Sequence, residues 1–406
     1  MSETKTPATR PWRRRILRGL GALCGALLLV GGVLLADAWN AMGTSADGAR
    51  LERMKESPRW GGEGFVNPMP MVEPELMEAT ARWLEGGDHR TPESPPPIER
   101  RARADFEAAP EGGLRITWLG HSTMLVELDG HTLLTDPIWG ERSSPSSWLG
   151  PKRFHAPPLP LEELPELTAV LISHDHYDHL DTPTIEALEA RAPRYLVPLG
   201  VGAHLEYWGV DPARITEVDW WDEVEIDGLR LVSTPARHFS GRTGFDKDAT
   251  LWTSWAMIGP EHRVYFCGDT GYFHGFREIG ERLGPFDATM LEVGAYNQLW
   301  RDVHLGPEQA VRAHGDLRGE VMLPVHWGTF DLALHAWTEP PERLRLAAER
   351  EGVRVAIPRP GQSVLPSSPP DVARWWPTQP VQTADEAPVV ASHLDERALG
   401  AAAVMH

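Results

Sequence analysis

The run His174-Asp175-His176-Tyr177-Asp178-His179 decides how the rest of this chain is interpreted. It follows Leu167–Ser173, which is apolar on both faces and predicts a short buried strand. It precedes Asp181-Thr182-Pro183, which predicts the start of a helix, because aspartate caps helices and proline suits their first position. The run therefore lies on a loop between a buried strand and a helix.

Three histidines and an aspartate so close together predict a metal site rather than an ordinary polar loop. Imidazole nitrogens and carboxylate oxygens are the ligands that zinc takes in proteins. In an extended loop the side chains of His174, His176 and Asp178 point to one side, whereas His179 points elsewhere. One short run can therefore supply ligands to two neighbouring metals.

Distant strand ends supply further ligand candidates. His238 follows one predicted strand, and His326 follows another, Val321–Val325. Asp269 lies in Cys267-Gly268-Asp269-Thr270-Gly271, directly after a third predicted strand. The glycines beside Asp269 allow the backbone to approach a site closely. These positions suit a site built where several strands end.

The remaining pattern predicts an α/β fold. Strands dominate the first part, and Asp129-Gly130 and Asp227-Gly228 supply tight hairpin turns. Helices and strands then alternate, an order that favours sheets packed face to face with helices outside. The predicted strands are Leu114–Leu119, Thr123–Leu128, His131–Thr135, Leu167–Ser173, Arg194–Pro198, Ile215–Val218, Glu223–Ile226, Leu229–Thr234, Thr250–Ile258, His262–Cys267, Ala288–Val293, Val321–Val325 and Val353–Ile357. The predicted helices cover Glu75–Leu84, residues from Asp181 to about Ala192, Phe273–Leu283, Pro307–Leu317 and Pro341–Glu351.

The ordered motifs resemble the metallo-β-lactamase superfamily: His-x-His-x-Asp-His, a later His, Gly-Asp-Thr-Gly and a final His. Flanking motifs narrow the resemblance to the N-acylphosphatidylethanolamine-hydrolysing phospholipase D family, as a bacterial member, over about Phe65 to Val364. The loops at Ser146-Ser147-Trp148 and Asn297-Gln298-Leu299-Trp300 depart from the animal enzymes. The flanking motifs are Phe65-Val66-Asn67-Pro68, Thr117–Ser122, Thr135–Ile138, Gly150–Phe154, Ser173–Leu180, Leu251–Trp255, Gly268–Tyr272, Gly294-Ala295-Tyr296 and His326–Phe330.

The resemblance implies a metallo-β-lactamase αββα sandwich, with two packed mixed β-sheets and outer helices, over residues 114–366. It also implies two Zn²⁺ ions per chain, one on each side of a bridging carboxylate. The implied ligands are His174, His176 and His238 for one zinc, Asp178, His179 and His326 for the second, and Asp269 as the bridge.

The implied reaction is that of a phospholipase D-type phosphodiesterase. It hydrolyses N-acylphosphatidylethanolamine-like lipids to phosphatidic acid and an N-acylethanolamine. Two neighbouring metals can acidify a water and neutralise charge on the phosphoryl group. Asp178 then orients the nucleophile as well as binding metal, and His304 contacts the phosphate or transfers a proton, although a structural role for His304 stays open.

Four further residues are candidates for supporting roles. Asp136 follows a strand and is expected to hold a metal-binding imidazole through its second nitrogen. His121 fits the same role or a simple hydrogen bond to backbone. Lys152 and Arg153 are candidates for binding an anion near the pocket, or solvated surface cations.

The ends of the chain predict separate segments. Residues 1–38 contain several arginines followed by the uncharged stretch Gly19–Ala36, slightly shorter than the roughly 20 residues that a membrane-crossing helix needs. An export signal, of the general or twin-arginine type, and a retained membrane anchor both stay open, and either places the domain in the cell envelope. Residues 39–113 are interpreted as an arm that packs on the domain, and 367–406 as a loosely ordered tail.

The residue composition and net charge of the chain limit the kinds of molecule that it is expected to bind. The chain is 41% hydrophobic and 24% charged, which is typical of a folded protein, and its net charge of −19 disfavours a nucleic-acid surface. Its two cysteines do not indicate a disulfide framework. The expected partners are a phospholipid or small ester substrate and a membrane surface, with a homodimer possible by family analogy alone.

Three other functions stay open at this stage. One is a hydrolase of a lactone or another small ester on the same metals. Another is a di-iron oxidoreductase of the same fold, which His176 disfavours because such enzymes typically carry glutamate at that motif position. A metal-free binding protein is disfavoured because every implied ligand position is filled.

Overall fold

The computed structural model describes residues 11–189, 191 and 194–394. The residues before Pro11, the helix end expected near Ala192 and tail residues 395–406 lie outside the described residues. The helices are α1 (Pro11–Trp39), α2 (Gly48–Glu56), α3 (Leu76–Glu85), α4 (Thr182–Leu188), α5 (Gly202–Tyr207), α6 (Gly275–Leu283), α7 (Pro307–Asp316) and α8 (Glu339–Glu351). The strands are β1 (Leu114–Gly120), β2 (Thr123–Leu128), β3 (His131–Thr135), β4 (Ala169–Leu171), β5 (Tyr195–Pro198), β6 (Ile215–Val218), β7 (Glu223–Ile226), β8 (Leu229–Thr234), β9 (Ser254–Ile258), β10 (Arg263–Phe266), β11 (Phe286–Glu292), β12 (Gly319–Val325) and β13 (Ser363–Val364).

The strands form two mixed sheets. One has the order β13-β1-β2-β3-β4-β5-β6 and the other β12-β11-β10-β9-β8-β7. In the first, β3 to β6 run parallel to their neighbours and β1 to β3 antiparallel. In the second, β10, β11 and β12 are parallel, whereas β7 to β10 are antiparallel. The α/β class predicted from the strand and helix order is confirmed.

Side chains alternate between two hydrophobic layers. Along β2, Met124, Val126 and Leu128 belong to the core between the sheets, together with Trp255 of β9. Leu125 belongs instead to the outer cluster that includes residues of α4 and α5. Successive residues of a strand face opposite sides of a sheet, so β2 is buried on both faces. This double burial explains why Met124, Leu125 and Val126 are apolar in succession, without alternation.

Several element predictions differ from the structure, since helix α2 and strand β13 were not predicted. The strand predicted at Val353–Ile357 is only a single parallel bridge between Val355 and Met322. Pro358 follows directly and has no N–H to extend the pairing. Helix α5 was not predicted, because its six residues are too short to show a helical period.

The described part of the tail also differs from the loosely ordered segment expected from its composition. The Trp375 ring lies 5.2 Å from that of Trp327, between ring centroids. Trp376 is buried, and its indole N–H donates to Glu342 at 2.6 Å. The tail to Leu394 lacks long helices and strands, yet its aromatic side chains complete the core.

The arm and the tail meet at a buried ion pair. Arg237 and Asp302 lie 2.7 Å apart with both side chains fully buried. The same guanidinium donates to the Pro70 carbonyl of the arm and to the Ser392 hydroxyl of the tail. A buried charge needs several hydrogen-bond partners to offset the cost of its desolvation. The Arg237–Asp302 pair therefore holds the arm and the tail against the domain next to His238.

Trp376→Ala is expected to lower the free energy of unfolding by about 3–5 kcal/mol, because it leaves a cavity and removes the hydrogen bond to Oε1 of Glu342. Urea denaturation measures the change. Val390→Ala, at an exposed position of the same segment, should change it by less than about 0.5 kcal/mol. Equally small effects of both substitutions would contradict the packed tail.

Candidate metal centre

The candidate ligands lie where strands of both sheets end. His121 follows β1, and the run 174–179 follows β4 in the first sheet. His238, Asp269 and His326 follow β8, β10 and β12 of the second sheet. Because the two sheets pack face to face, these ends meet at one edge of the sandwich.

The donor atoms of these side chains form two four-residue groups, each with its atoms within 4.8 Å of one another. The structure thus places every ligand implied by the resemblance in one of two adjacent groups. It also adds His121, expected at most to support a ligand, to one of them. The groups are His174, His176, His238 and Asp269, and His121, Asp178, His179 and His326.

In the first group the nitrogens lie at hydrogen-bonding distance or slightly beyond. Nε2 of His174 lies 2.8 Å from Nδ1 of His176, which lies 3.3 Å from Nε2 of His238. Burial lowers the pKa of all three imidazoles. They are therefore neutral near neutral pH, which is the form that offers a lone pair to a metal.

In the second group the carboxylate of Asp178 is surrounded by imidazoles. Its Oδ2 lies 2.9 Å from Nε2 of His121, 3.2 Å from Nε2 of His326 and 3.5 Å from Nε2 of His179. Burial alone would lower the pKa of His326, but Asp269 and Asp178 raise it to about 10. The position therefore favours a positive charge, which a proton or a metal cation can supply.

Asp269 is shared between the two groups. Its Oδ2 lies 3.1 Å from Nε2 of both His179 and His326. The same oxygen lies 3.9 Å from Nε2 of His174 and 3.8 Å from Nε2 of His238. This central position is the one a bridging carboxylate would occupy.

Unsatisfied polar atoms show that the residues fit a bound cation. Oδ1 of Asp269 is buried without a hydrogen-bond partner among the described residues, and Nε2 of His179 lies near two carboxylate oxygens but makes no hydrogen bond of good geometry with either. Such atoms are costly in a protein interior unless something binds them. Imidazole and carboxylate donors around two neighbouring points suit two metal ions of the zinc type.

A second layer of hydrogen bonds fixes the ligands. Asp136 lies 2.7 Å from Nδ1 of His179 and accepts from the Ser173 backbone N–H at 2.7 Å and hydroxyl at 2.6 Å. Nδ1 of His238 lies 3.0 Å from the Val303 carbonyl oxygen. These contacts leave the other nitrogen of each ring for the metal, which is the role predicted for Asp136.

Three residues of the site adopt left-handed backbone conformations. The φ angles are 51° at His121, 35° at Asp136 and 62° at His326. Non-glycine residues pay about 1–3 kcal/mol for such conformations, which persist only where the surroundings enforce them. The strands end in these strained turns, which aim the side chains at the metal centre.

The principal residue that the sequence reasoning missed is Glu292, which is fully buried at the end of β11. Its Oε2 lies 2.8 Å from Nδ1 of His304, and its Oε1 accepts from the backbone N–H groups of Thr270 and Leu305. Burial raises the pKa of Glu292. Glu292 is the one charged residue of the predicted strand Ala288–Val293, which is the signal that could have drawn attention to it.

The two candidate anion-binding residues differ in their placement. Lys152 is exposed and pairs with Glu141 at 2.5 Å, so it lies at the surface. Arg153 is largely buried, and its guanidinium carbon lies 5.7 Å from the centroid of the Phe330 ring. That ring lies 5.3 Å from the ring of His121. Arg153 is therefore linked to His121 of the metal centre through the Phe330 ring. Lys152, in contrast, pairs with Glu141 at the surface.

Comparison with known proteins agrees with the geometry of the site. A model of the β-lactamase superfamily domain matches residues 131–327, which include the run 174–179 and extend past His326. The chain belongs to the metallo-β-lactamase superfamily. It is a metal-dependent hydrolase of that superfamily, and the predicted superfamily and fold are confirmed.

Two relatives of known sequence identify the family within the superfamily to which this metallo-hydrolase belongs. An uncharacterized protein of Mycobacterium tuberculosis is 46% identical over 374 residues, which are 89% of this chain and 99% of the relative. The N-acyl-phosphatidylethanolamine-hydrolyzing phospholipase D 1 of Caenorhabditis elegans is 36% identical over 313 residues, 74% of this chain and 86% of the relative. The chain therefore belongs to the family that contains the nematode enzyme.

Solved structures show the same fold. An isothiocyanate hydrolase from Delia radicum gut bacteria is similar with a TM-score of 0.50 and 21% identity, covering 62% of this chain and 98% of that chain. At this identity the likeness concerns the fold alone.

Asp136→Asn is expected to weaken metal binding about 10- to 100-fold, because the amide no longer holds Nδ1 of His179 as a charged acceptor does. Competition with a chromogenic chelator measures the affinity. Asp129→Asn is the matched control, because Asp129 pairs with His262 at 2.6 Å outside the metal centre. Wild-type affinity in the Asp136 variant would show that the contact is only structural.

Proposed function

We propose that this metallo-hydrolase is a zinc-dependent phosphodiesterase of the phospholipase D type that hydrolyses N-acylphosphatidylethanolamine-like lipids. The observation that carries the proposal is the pair of ligand groups around Asp269, with His304 beside them. The kinship with the nematode enzyme supports the substrate class. The products would be phosphatidic acid and an N-acylethanolamine.

The residues suit two zinc ions, with the three-histidine group on one side of Asp269 and the Asp178 group on the other. Zinc supplies Lewis-acid stabilisation of a phosphoryl oxygen and lowers the pKa of a water. The buried imidazoles exclude bulk water, and the carboxylates of Asp178 and Asp269 balance the charge of the cations.

His304 is the residue best placed to handle a proton. Its Nδ1 is engaged by Glu292, so Nε2 is the nitrogen left for a substrate. In the hydrolysis, the oxygen of water bonds to phosphorus and the bond from phosphorus to the ethanolamine oxygen breaks. That oxygen must take up a proton to leave as N-acylethanolamine. Because burial lowers the pKa of His304 to about 4, its neutral imidazole can accept the proton that the attacking water releases and pass it to the leaving oxygen.

We also propose that the enzyme works at the cell envelope. Within Arg15–Trp39 of α1, the most apolar 18-residue window is not buried by the rest of the chain, and the mean hydropathy is 2.3. A helix of this kind serves either as an export signal or as an anchor, and both deliver the domain to the envelope.

The purified chain should bind about two zinc ions, measured by elemental analysis. Asp269→Asn should lower the content to about one or less, because it weakens the ligand shared by both groups. Chelation should also lower the melting temperature, since a ligand that binds only the folded state stabilises it. Iron as the main metal, or a full zinc content in the Asp269 variant, would contradict the two-zinc scheme.

The zinc-loaded chain is expected to release phosphatidic acid from N-acylphosphatidylethanolamine in detergent micelles, detected by mass spectrometry. A lactone and a nitrocefin-type β-lactam serve as competing substrates. Hydrolysis of either one without any phosphatidic acid would replace the proposal with a different hydrolase of the same fold.

His304→Asn should lower kcat about 10²- to 10⁴-fold with little change in zinc content, because it removes proton transfer rather than a ligand. Glu292→Gln should cause a smaller loss, about tenfold, since the amide oxygen can still accept from the backbone N–H groups of Thr270 and Leu305 and the change falls on the atom that orients His304. His262→Asn, at the surface pair with Asp129, is the control and should leave kcat unchanged. Unaltered turnover in the His304 variant would remove this residue from the mechanism.

A further inference from the structure

Helix α1 is long enough and apolar enough to cross a membrane. The 25 residues Arg15–Trp39 span about 37 Å at 1.5 Å per residue, against a bilayer core of about 30 Å. Their leucine and valine side chains are largely exposed. Arg15 and Arg18 precede the apolar part, which places the N-terminus inside and the catalytic domain outside.

The end of this helix is bonded directly into the catalytic domain. Both carboxylate oxygens of Asp37 accept hydrogen bonds: the hydroxyls of Ser146 and Ser147 donate at 2.7 and 2.6 Å, and the Ser147 N–H at 2.9 Å. Ala38 is buried. The helix is therefore fixed to the loop that contains Ser146 and Ser147.

The residues that follow the helix are held by the domain as well. The Asn40 carbonyl accepts from the indole of Trp208 at 2.8 Å. The Ala41 carbonyl accepts two hydrogen bonds from the buried guanidinium of Arg242, at 2.7 and 2.9 Å. We call residues 37–44 the junction. The junction is part of the folded domain and not a flexible linker.

Cleavage of α1 as an export signal would damage this junction. Ala36-Asp37-Ala38 is the small-residue sequence at which a signal peptidase would cut, but here it is helical. A cut after Ala38 would remove Asp37 and its three hydrogen bonds. The structure therefore favours a retained anchor over a removed signal.

Large apolar side chains are exposed on the elements attached to the junction. Trp39 ends the helix and is 62% exposed. Trp148 and Leu149, whose backbone N–H groups donate to Ser146, are 57% and 54% exposed. Phe245 is fully exposed on the loop of Arg242. We call Trp39, Trp148, Leu149 and Phe245 the apolar rim.

The loops of the apolar rim are also bonded to the metal centre. The Arg242 carbonyl accepts from the hydroxyl of Tyr177, within the metal-binding run. On the other loop, the Phe154 N–H donates to the carbonyl of Thr329, whose side chain accepts from the N–H of His121. The rim is therefore a rigid extension of the catalytic site.

We propose that α1 stays in the mature protein as a membrane anchor and that the apolar rim inserts into the surface of the same bilayer. Aromatic and leucine side chains beside a spanning helix match the interfacial region of a bilayer, where such residues are favoured. The C-terminal end of α1 fixes the distance between the catalytic domain and the bilayer. The metal centre therefore takes its substrate from the leaflet that faces the domain. This last consequence rests on the proposed function.

The anchor is tested on the full chain expressed with its own N-terminus. The intact mass should include the residues before Asp37, and the protein should stay with membranes after washing at high salt and at alkaline pH. A mature protein that begins after residue 36 or 38 and is released by washing would overturn the anchor.

The rim is tested by labelling single cysteines in a Cys24→Ser background, where Cys267 is buried and unreactive. An environment-sensitive fluorophore is placed at Trp148→Cys, at Phe245→Cys and, as a control, at Leu346→Cys. Leu346 is an exposed apolar residue of α8, outside the junction and the rim. The full chain is reconstituted in vesicles of phosphatidylethanolamine and phosphatidylglycerol that carry spin labels on their acyl chains.

Labels at 148 and 245 should be quenched about threefold or more strongly than the label at 346, because interfacial side chains lie within about 5–10 Å of the acyl chains. Asp37→Ala should reduce quenching at 148 while the chain remains in the membrane. Equal quenching at all three positions, or no effect of the Asp37 substitution, would overturn the rigid rim. None of these measurements needs turnover, so a failure of phospholipase activity would not be mistaken for a failure of this inference.

Discussion

The carboxylate of Asp269 is the point on which the rest of the site depends. One of its oxygens lies 3.1 Å from imidazoles of His179 and His326, which come from different sheets. The same oxygen lies within 3.9 Å of His174 and His238. Such a concentration of donors and charge in a buried place is unfavourable unless cations neutralise it, so the site is organised for metal before any substrate arrives.

The apolar core makes this arrangement possible. The two sheets pack through residues such as Trp118, Val126 and Trp255, and their strand ends are thereby held against each other. The strained conformations at His121, Asp136 and His326 then turn the polar side chains toward one point. Stability of the core supports the strain at the site, as is usual where function requires an unfavourable backbone.

Irregular segments contribute as much to the site as the strands do. Asp302 holds the buried Arg237, while its neighbour Val303 fixes the ring of His238. The arm and the tail reach the same cluster through Pro70 and Ser392. The junction after helix α1 joins the loops on another side of the metal centre. The domain is thus completed by parts of the chain that lack regular structure.

The sequence by itself determined the class of the fold and the family, and the family resemblance implied the ligands that the structure brings together, apart from His121. Periodicity showed which strands are buried, and a run of three histidines and an aspartate after such a strand is typical of a metal site. The sequence could not assign a role to Glu292, because a single carboxyl group in a strand does not show that its partner is His304. It also misjudged the tail, because composition does not reveal that Trp376 fills a gap in the core.

Only the tertiary structure decided how these parts act together. The contacts of Asp269, of Glu292 with His304, and of Asp37 with Ser146 join residues far apart in the chain. No local pattern encodes such pairs, since they depend on how the two sheets and their loops pack. The motifs therefore identified a metallo-hydrolase, whereas the packing showed which carboxylate is shared and how the helix end is fixed to the domain.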